Sequence, residues 1–193
     1  MPRSNASGTE ETRRRLLHAA GRGFRAHGFG GLGVDAVAKE AGVTSGAFYA
    51  HFESKAAVFR EALRKGLGDL RVGIGAARAK NGAGWLRKFA TWYLSAERRA
   101  DLAGSCALPT LTLEAARADD VTRKAYDEHL RAVVKELAAA LDGERREADA
   151  LAILALLSGG MSIAHAVHDQ KLGARVARAV ADAVVRLGTL HRL

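Results

Sequence analysis

The chain has 193 residues, 48% of them apolar, which is enough for a sizeable buried core and argues against overall disorder. Its net charge of +9, from 30 Lys and Arg against 21 Asp and Glu, suits a polyanionic partner, although plain solubility accounts for a basic balance equally well. The single cysteine excludes an internal disulfide, the polar opening Met1–Gly8 has no secretory apolar core, and no apolar run is expected to reach the length of a membrane span, so a cytoplasmic location with no membrane contact is expected.

Alanine, leucine, arginine and glutamate dominate, only two prolines occur, and no long β-branched run appears, so the fold expected is all-α. Met1 to Gly8 reads as a flexible arm. Thr9 with Glu10 and Glu11 opens a first helix, acidic residues at its positive end. It runs to about His27 with Leu16, Ala20 and Phe24 on its buried face, and Gly21 and Gly23 mark either close packing or a soft helix. Gly28 to Gly33 is a loop.

Val34, Val37, Ala38 and Ala41 then recur with helical period, Gly42 stops that helix, and Thr44 caps the next. Phe48 and Phe52, four apart, turn inward together, while Ser45 and Tyr49 turn outward. Two short helices around a glycine turn make a helix-turn-helix plan, whose second helix enters a DNA major groove. Residues 1–65 hold 11 Lys and Arg against 6 Asp and Glu, more than half of the net excess in about a third of the chain.

Ser54 caps a long helix with Val58, Phe59, Ala62, Leu63, Gly66 and Leu70 along one stripe. Asn81-Gly82 and Gly84 break it, and Trp85, Phe89, Trp92, Tyr93 and Ala96 follow at helical spacing. Ala100 to Gly104 is a turn, and Pro109 limits any helix around it. Val121 to Leu141 is amphipathic and ends at Asp142-Gly143. Glu147 to Val167 is apolar nearly all round, and Arg175 to Leu190 carries a stripe at Val176, Val180, Val184 and Leu187.

The string Ala41-Gly42-Val43-Thr44-Ser45-Gly46-Ala47-Phe48-Tyr49, with Leu16, Leu17, Ala20, Phe24, Gly28 and Phe29 before it and Ser54, Lys55, Val58 and Phe59 after it, resembles the amino-terminal DNA-binding domain of the TetR family of transcriptional regulators. The resemblance covers about the first third. It implies a three-helix helix-turn-helix domain over 1–53 and a larger helical effector-binding and dimerisation domain over 54–193, the last two long helices forming a four-helix homodimer interface. A monomer core is the competing use for those helices.

By that resemblance Ser45, the Gly46 backbone and Ala47 are expected at base edges, with Ala47 and Ala50 suited to thymine methyls. Thr44, Tyr49, His51 and Lys55 are expected at phosphates. Gly33 stands where the family usually has Thr or Ser, leaving only its backbone N–H for a phosphate. Trp85, Phe89, Trp92, Tyr93 and Tyr126 read as core or as the lining of a small-molecule effector pocket. Cys106, in a Gly-Ser-Cys segment loosely like that of some relatives, reads as a sensor or as a buried structural thiol. His165 and His168 have no third ligand beside them, so no metal or other cofactor is expected. No catalytic motif appears, and a non-enzyme is expected. The function implied is a repressor released from a palindromic operator by an effector; a ligand-binding or interaction protein with weakened DNA binding is the alternative.

Overall fold

The computed structural model describes residues 4–189, with side chains from residue 8 onward, and among these it contains ten α-helices and no strand. Helix α1 spans Ser4–Gly31 but kinks at Gly28, where φ is 71° and ψ 174°, so its regular part ends at His27 as expected. Its start differs: the helix is already formed at Ser4, and only residues 1–3 of the expected arm, Arg3 included, lie outside the described residues. Gly23 allows a close approach, since a Cβ there would stand 2.7 Å from Leu32 Cδ2.

Helices α2 (Val34–Glu40) and α3 (Ser45–His51) flank Gly42, whose φ of 65° is open to glycine and strained for other residues. The Arg15 guanidinium donates to the Ala41 carbonyl and fixes this turn to α1. Leu16, Ala20, Phe24, Val37, Phe48 and Phe52 are buried in one core. The first turns of α4 (Lys55–Asn81) belong to it through Val58, Phe59, Ala62 and Leu63, with Phe59 edge-on to Phe24 at 5.1 Å between centroids.

The rest of α4 enters a second core through Leu67, Leu70 and Ile74. Helix α4 is thus the rod common to both cores. A 3₁₀ turn over Gly82–Gly84 leads into α5 (Trp85–Tyr93). Ala96 does not continue that helix: the chain breaks at Leu94, and Ala96–Ala100 forms a separate short α6. Pro109 does not limit a helix either. It lies in the first turn of α7 (Ala107–Ala116), where an N–H has no intrahelical partner to lose. Gly66 lets α7 approach α4, because a Cβ there would overlap the Cβ of Ala107.

Helices α8 (Asp120–Ala138), α9 (Arg146–Ala166) and α10 (Gln170–Thr189) complete the second core; Leu190, expected in the last helix, lies outside the described residues. The small face of α9 receives α10 of the same chain: a Cβ on Gly160 would stand 2.7 Å from Val180 Cγ2. The expectation that no apolar stretch matches a membrane span needs correction, since α9 is long and apolar enough by length and composition. It packs as a core helix, burying Ile153, Leu154, Leu157 and Met161. Leu151 and Ile163 of α9 and Leu172 of α10 remain exposed.

Candidate functional site

Seven residues make only two turns, so α3 depends on its cap and on tertiary packing. Thr44 supplies the cap, its Oγ1 accepting from the Ala47 N–H at 3.2 Å. Phe48 is fully buried and packs on Phe52, their centroids 5.6 Å apart. With that side anchored, Gly46, Tyr49 and Ala50 are left facing solvent, Tyr49 59% exposed. Ser45 and Ala47 are half-buried beside them, and Gly33 is exposed at the start of α2.

The Ser45 hydroxyl donates to Asp35 Oδ1 at 2.5 Å. Its proton is committed to α2, so toward a base edge it is free only to accept, from the exocyclic amine of cytosine or adenine. Lys55 is also engaged: Nζ donates to the Leu32 carbonyl at 2.8 Å and stands 4.5 Å above the Phe29 ring. His51 lines a groove with Arg60 and Arg64 of α4 and His129 of α8.

A second constellation lies between the two cores. A cavity of about 250 Å³ is lined by Arg25 of α1, Gly66, Asp69, Leu70 and Gly73 of α4, Phe89, Trp92 and Tyr93 of α5, Arg98 of α6, and Gly104–Ala107. Of the aromatic and thiol candidates it brings together Phe89, Trp92, Tyr93 and Cys106. Trp85 is buried elsewhere in the core, and Tyr126 pairs its hydroxyl with Thr112 Oγ1 at 2.8 Å. Trp92 is 52% exposed and carries the Arg98 guanidinium 4.3 Å above its ring.

Burial pushes the Cys106 thiol up from its ordinary value, against the opposing pull of the Tyr93 hydroxyl and of Arg98 and Arg25. It is therefore a protonated, weakly nucleophilic thiol at neutral pH. Burial also raises the Tyr93 phenol well above its usual value. His165 of α9 holds the cavity's wall, with Nδ1 3.0 Å from the Arg99 carbonyl and Nε2 3.0 Å from Ser105 Oγ. Among the described residues no group of three or more His, Cys, Asp and Glu side chains is placed to hold a metal ion.

The family model for bacterial regulatory proteins of the tetR family matches residues 16–62. Residues 16–62 are thus a DNA-binding domain of the tetR type. The HTH-type transcriptional regulator SrpR of Pseudomonas putida is 43% identical over 63 residues, 33% of this chain and 30% of that protein. The matched stretch thus spans less than a third of SrpR. A TetR-family transcriptional regulator from Cytophaga hutchinsonii has the same fold, with a TM-score of 0.74 at 22% identity over 92% of this chain and 95% of that one. FadR of Bacillus subtilis, solved in complex with stearoyl-CoA, superposes with a TM-score of 0.64 at 16% identity over 91% and 97% of the two chains.

The TetR-type domain places its predicted outward residues where the helical period puts them, because a four-residue spacing fixes a face. What the sequence pattern missed lies off that face. Asp35 reaches Ser45 from the preceding helix and the arginines of the cavity come from elements far apart in the chain, and no local spacing announces either.

Proposed function

We propose that the protein is a one-component DNA-binding transcriptional regulator. In this reading it is a cytoplasmic homodimer that represses from a palindromic operator and is released by a small-molecule effector. The observation that carries the proposal is the two-sided character of α3: Phe48 and Phe52 anchor one side in the core, and Gly46, Tyr49 and Ala50 stand free on the other. Tyr49, 59% exposed and flanked on that face by Gly46 and Ala50, leaves the backbone of α3 open to a close approach.

Base contact is assigned to Ser45, Gly46 and Ala47, and phosphate contact to Gly33, Thr44, Tyr49, His51 and Lys55. Small side chains on the reading face give few direct hydrogen bonds, so part of the selectivity rests on DNA shape. Pairing of two chains through α9 and α10 is supported by Leu151 and Ile163, each at least half exposed, and by Leu172. A two-fold pair presents two reading heads to a palindrome. The cavity between the cores is assigned to the effector. An occupant that prefers one angle of α4 over another shifts the population of DNA-competent dimers by its difference in affinity for the two.

The test is a mobility-shift assay on the DNA flanking the gene, at two salt concentrations. Sequence-selective binding that weakens with salt supports the proposal. Equal binding to random DNA at every salt, or a monomer by sedimentation at micromolar concentration, rejects it.

A further inference from the structure

The cavity between the cores has an electrostatic character that the aromatic residues alone do not convey. Two guanidinium groups line it, Arg25 from α1 and Arg98 from α6. The one carboxylate among the lining residues, Asp69, acts on Arg25 but is balanced by Lys65, whose Nζ reaches its two oxygens at 2.7 and 2.9 Å, so the two guanidinium charges are left in excess. The cavity is therefore cationic.

It also holds buried polar atoms whose hydrogen bonding is incomplete. Tyr93, 1% exposed, has only the Cys106 thiol beside its hydroxyl and no nitrogen or oxygen partner, and Arg98 Nε is buried and unpartnered. Arg25 spends its Nε on the Ala103 carbonyl at 2.6 Å, which leaves its terminal nitrogens available. Buried donors without acceptors are uncommon in folded proteins and call for an acceptor from outside the chain. Phe89 and Trp92 supply flat apolar walls. At about 250 Å³ the space lies below the range that holds drug-sized ligands.

We infer that this cavity binds a small organic monocarboxylate, its carboxylate held by Arg98 and Arg25 with a hydrogen bond from the Tyr93 hydroxyl, and its compact apolar body against the adjoining rings of Phe89 and Trp92. The inference rests on the regulator reading above and gives the effector a chemical class. Planar guanidinium donors match a carboxylate's two oxygens. Arg25 belongs to the first helix of the DNA-binding domain, and its side chain already reaches the Ala103 carbonyl near the other wall. Occupancy is thus felt directly by α1, in addition to the shared rod α4.

Isothermal titration of the full chain with sodium benzoate, phenylacetate and hexanoate, each beside its neutral amide, tests this. At least one carboxylate binds about tenfold or more tighter than its amide. Arg98→Gln and Arg25→Gln each lose about tenfold, Tyr93→Phe loses less, and Arg22→Gln, which removes a neighbouring charge outside the cavity, changes nothing. Failure of every carboxylate to bind below about 1 mM, or equal binding of acid and amide, overturns the inference. Should a variant not fold, the acid and amide pairs on the native chain decide alone. The mobility-shift assay without ligand reports on the regulator reading separately. Carboxylate binding without selective DNA binding keeps this inference and rejects that reading, and the reverse result does the opposite.

Discussion

Gly66→Ala and Gly68→Ala, two residues apart on α4, form a matched pair with different expected effects on stability. Alanine is favoured over glycine inside a helix by about 1 kcal/mol. At Gly68 a new Cβ meets nothing within 4 Å, so that gain is realised in full. At Gly66 the new Cβ overlaps the Cβ of Ala107, an atom fixed to the α7 backbone that no rotamer can move. Overpacking of this kind costs about 1–3 kcal/mol, which leaves Gly66→Ala between roughly neutral and about 2 kcal/mol destabilising. The two variants should therefore differ by about 1–3 kcal/mol, a separation on the order of 5 °C in Tm for a chain of this size. Urea unfolding at one fixed protein concentration measures it, since any dimer ties stability to concentration. If Gly66→Ala stabilises as much as Gly68→Ala, α4 and α7 are not in the close contact described, and the route from cavity to DNA-binding domain through α4 is mistaken.

Thr44→Ala removes the only side-chain cap on a two-turn helix, and is expected to cost about 1 kcal/mol by urea unfolding and to weaken operator binding in a mobility shift. Tyr49→Ala should weaken DNA binding while lowering Tm by only a few degrees, because the exposed ring has just its edge contact with Phe48, 5.3 Å between centroids, to lose, worth about 0.5–1.5 kcal/mol. Lys55→Ala should lower both, since its ammonium also holds the Leu32 carbonyl and covers Phe29; a variant that lost affinity alone would remove that structural role. Burial lowers the pKa of His165 below its ordinary 6.5. The unfolded chain then takes up a proton before the native one does, so this residue's contribution is complete above about pH 6.5 and is lost as pH falls through the lowered native value. Tm should drop more steeply from pH 7 to 5 in the native chain than in His165→Gln, and identical slopes would exclude the effect.

Local pattern carried the first third of the chain well. Thr44 and Ser54 cap their helices, Gly42 takes its positive φ, and Phe48 and Phe52 go inward, each because the governing interaction spans four residues or fewer. The errors came where neighbours in sequence said one thing and neighbours in space another. Pro109 suggested a break, yet the first turn of α7 has no bond there for it to lose. The aromatic spacing from Trp85 to Ala96 suggested one helix, but the chain turns at Leu94 so that Arg98 can lie over Trp92. The apolar α9 and its small face were evident, although pattern alone does not say which helix meets it. Gly160 meets Val180 of the same chain.

By itself the sequence determined an all-helical chain, the family of its DNA-binding domain and the face that α3 shows to solvent, because helical period, caps and glycine turns are local physics. Only the tertiary structure decided that Ser45 answers to Asp35, that Lys55 holds a carbonyl, and that Arg25 and Arg98 share a cavity with the buried Tyr93 hydroxyl. Such groups are separated by ten to more than seventy residues, and charge and desolvation act across the space between folded elements, which no spacing along the chain encodes.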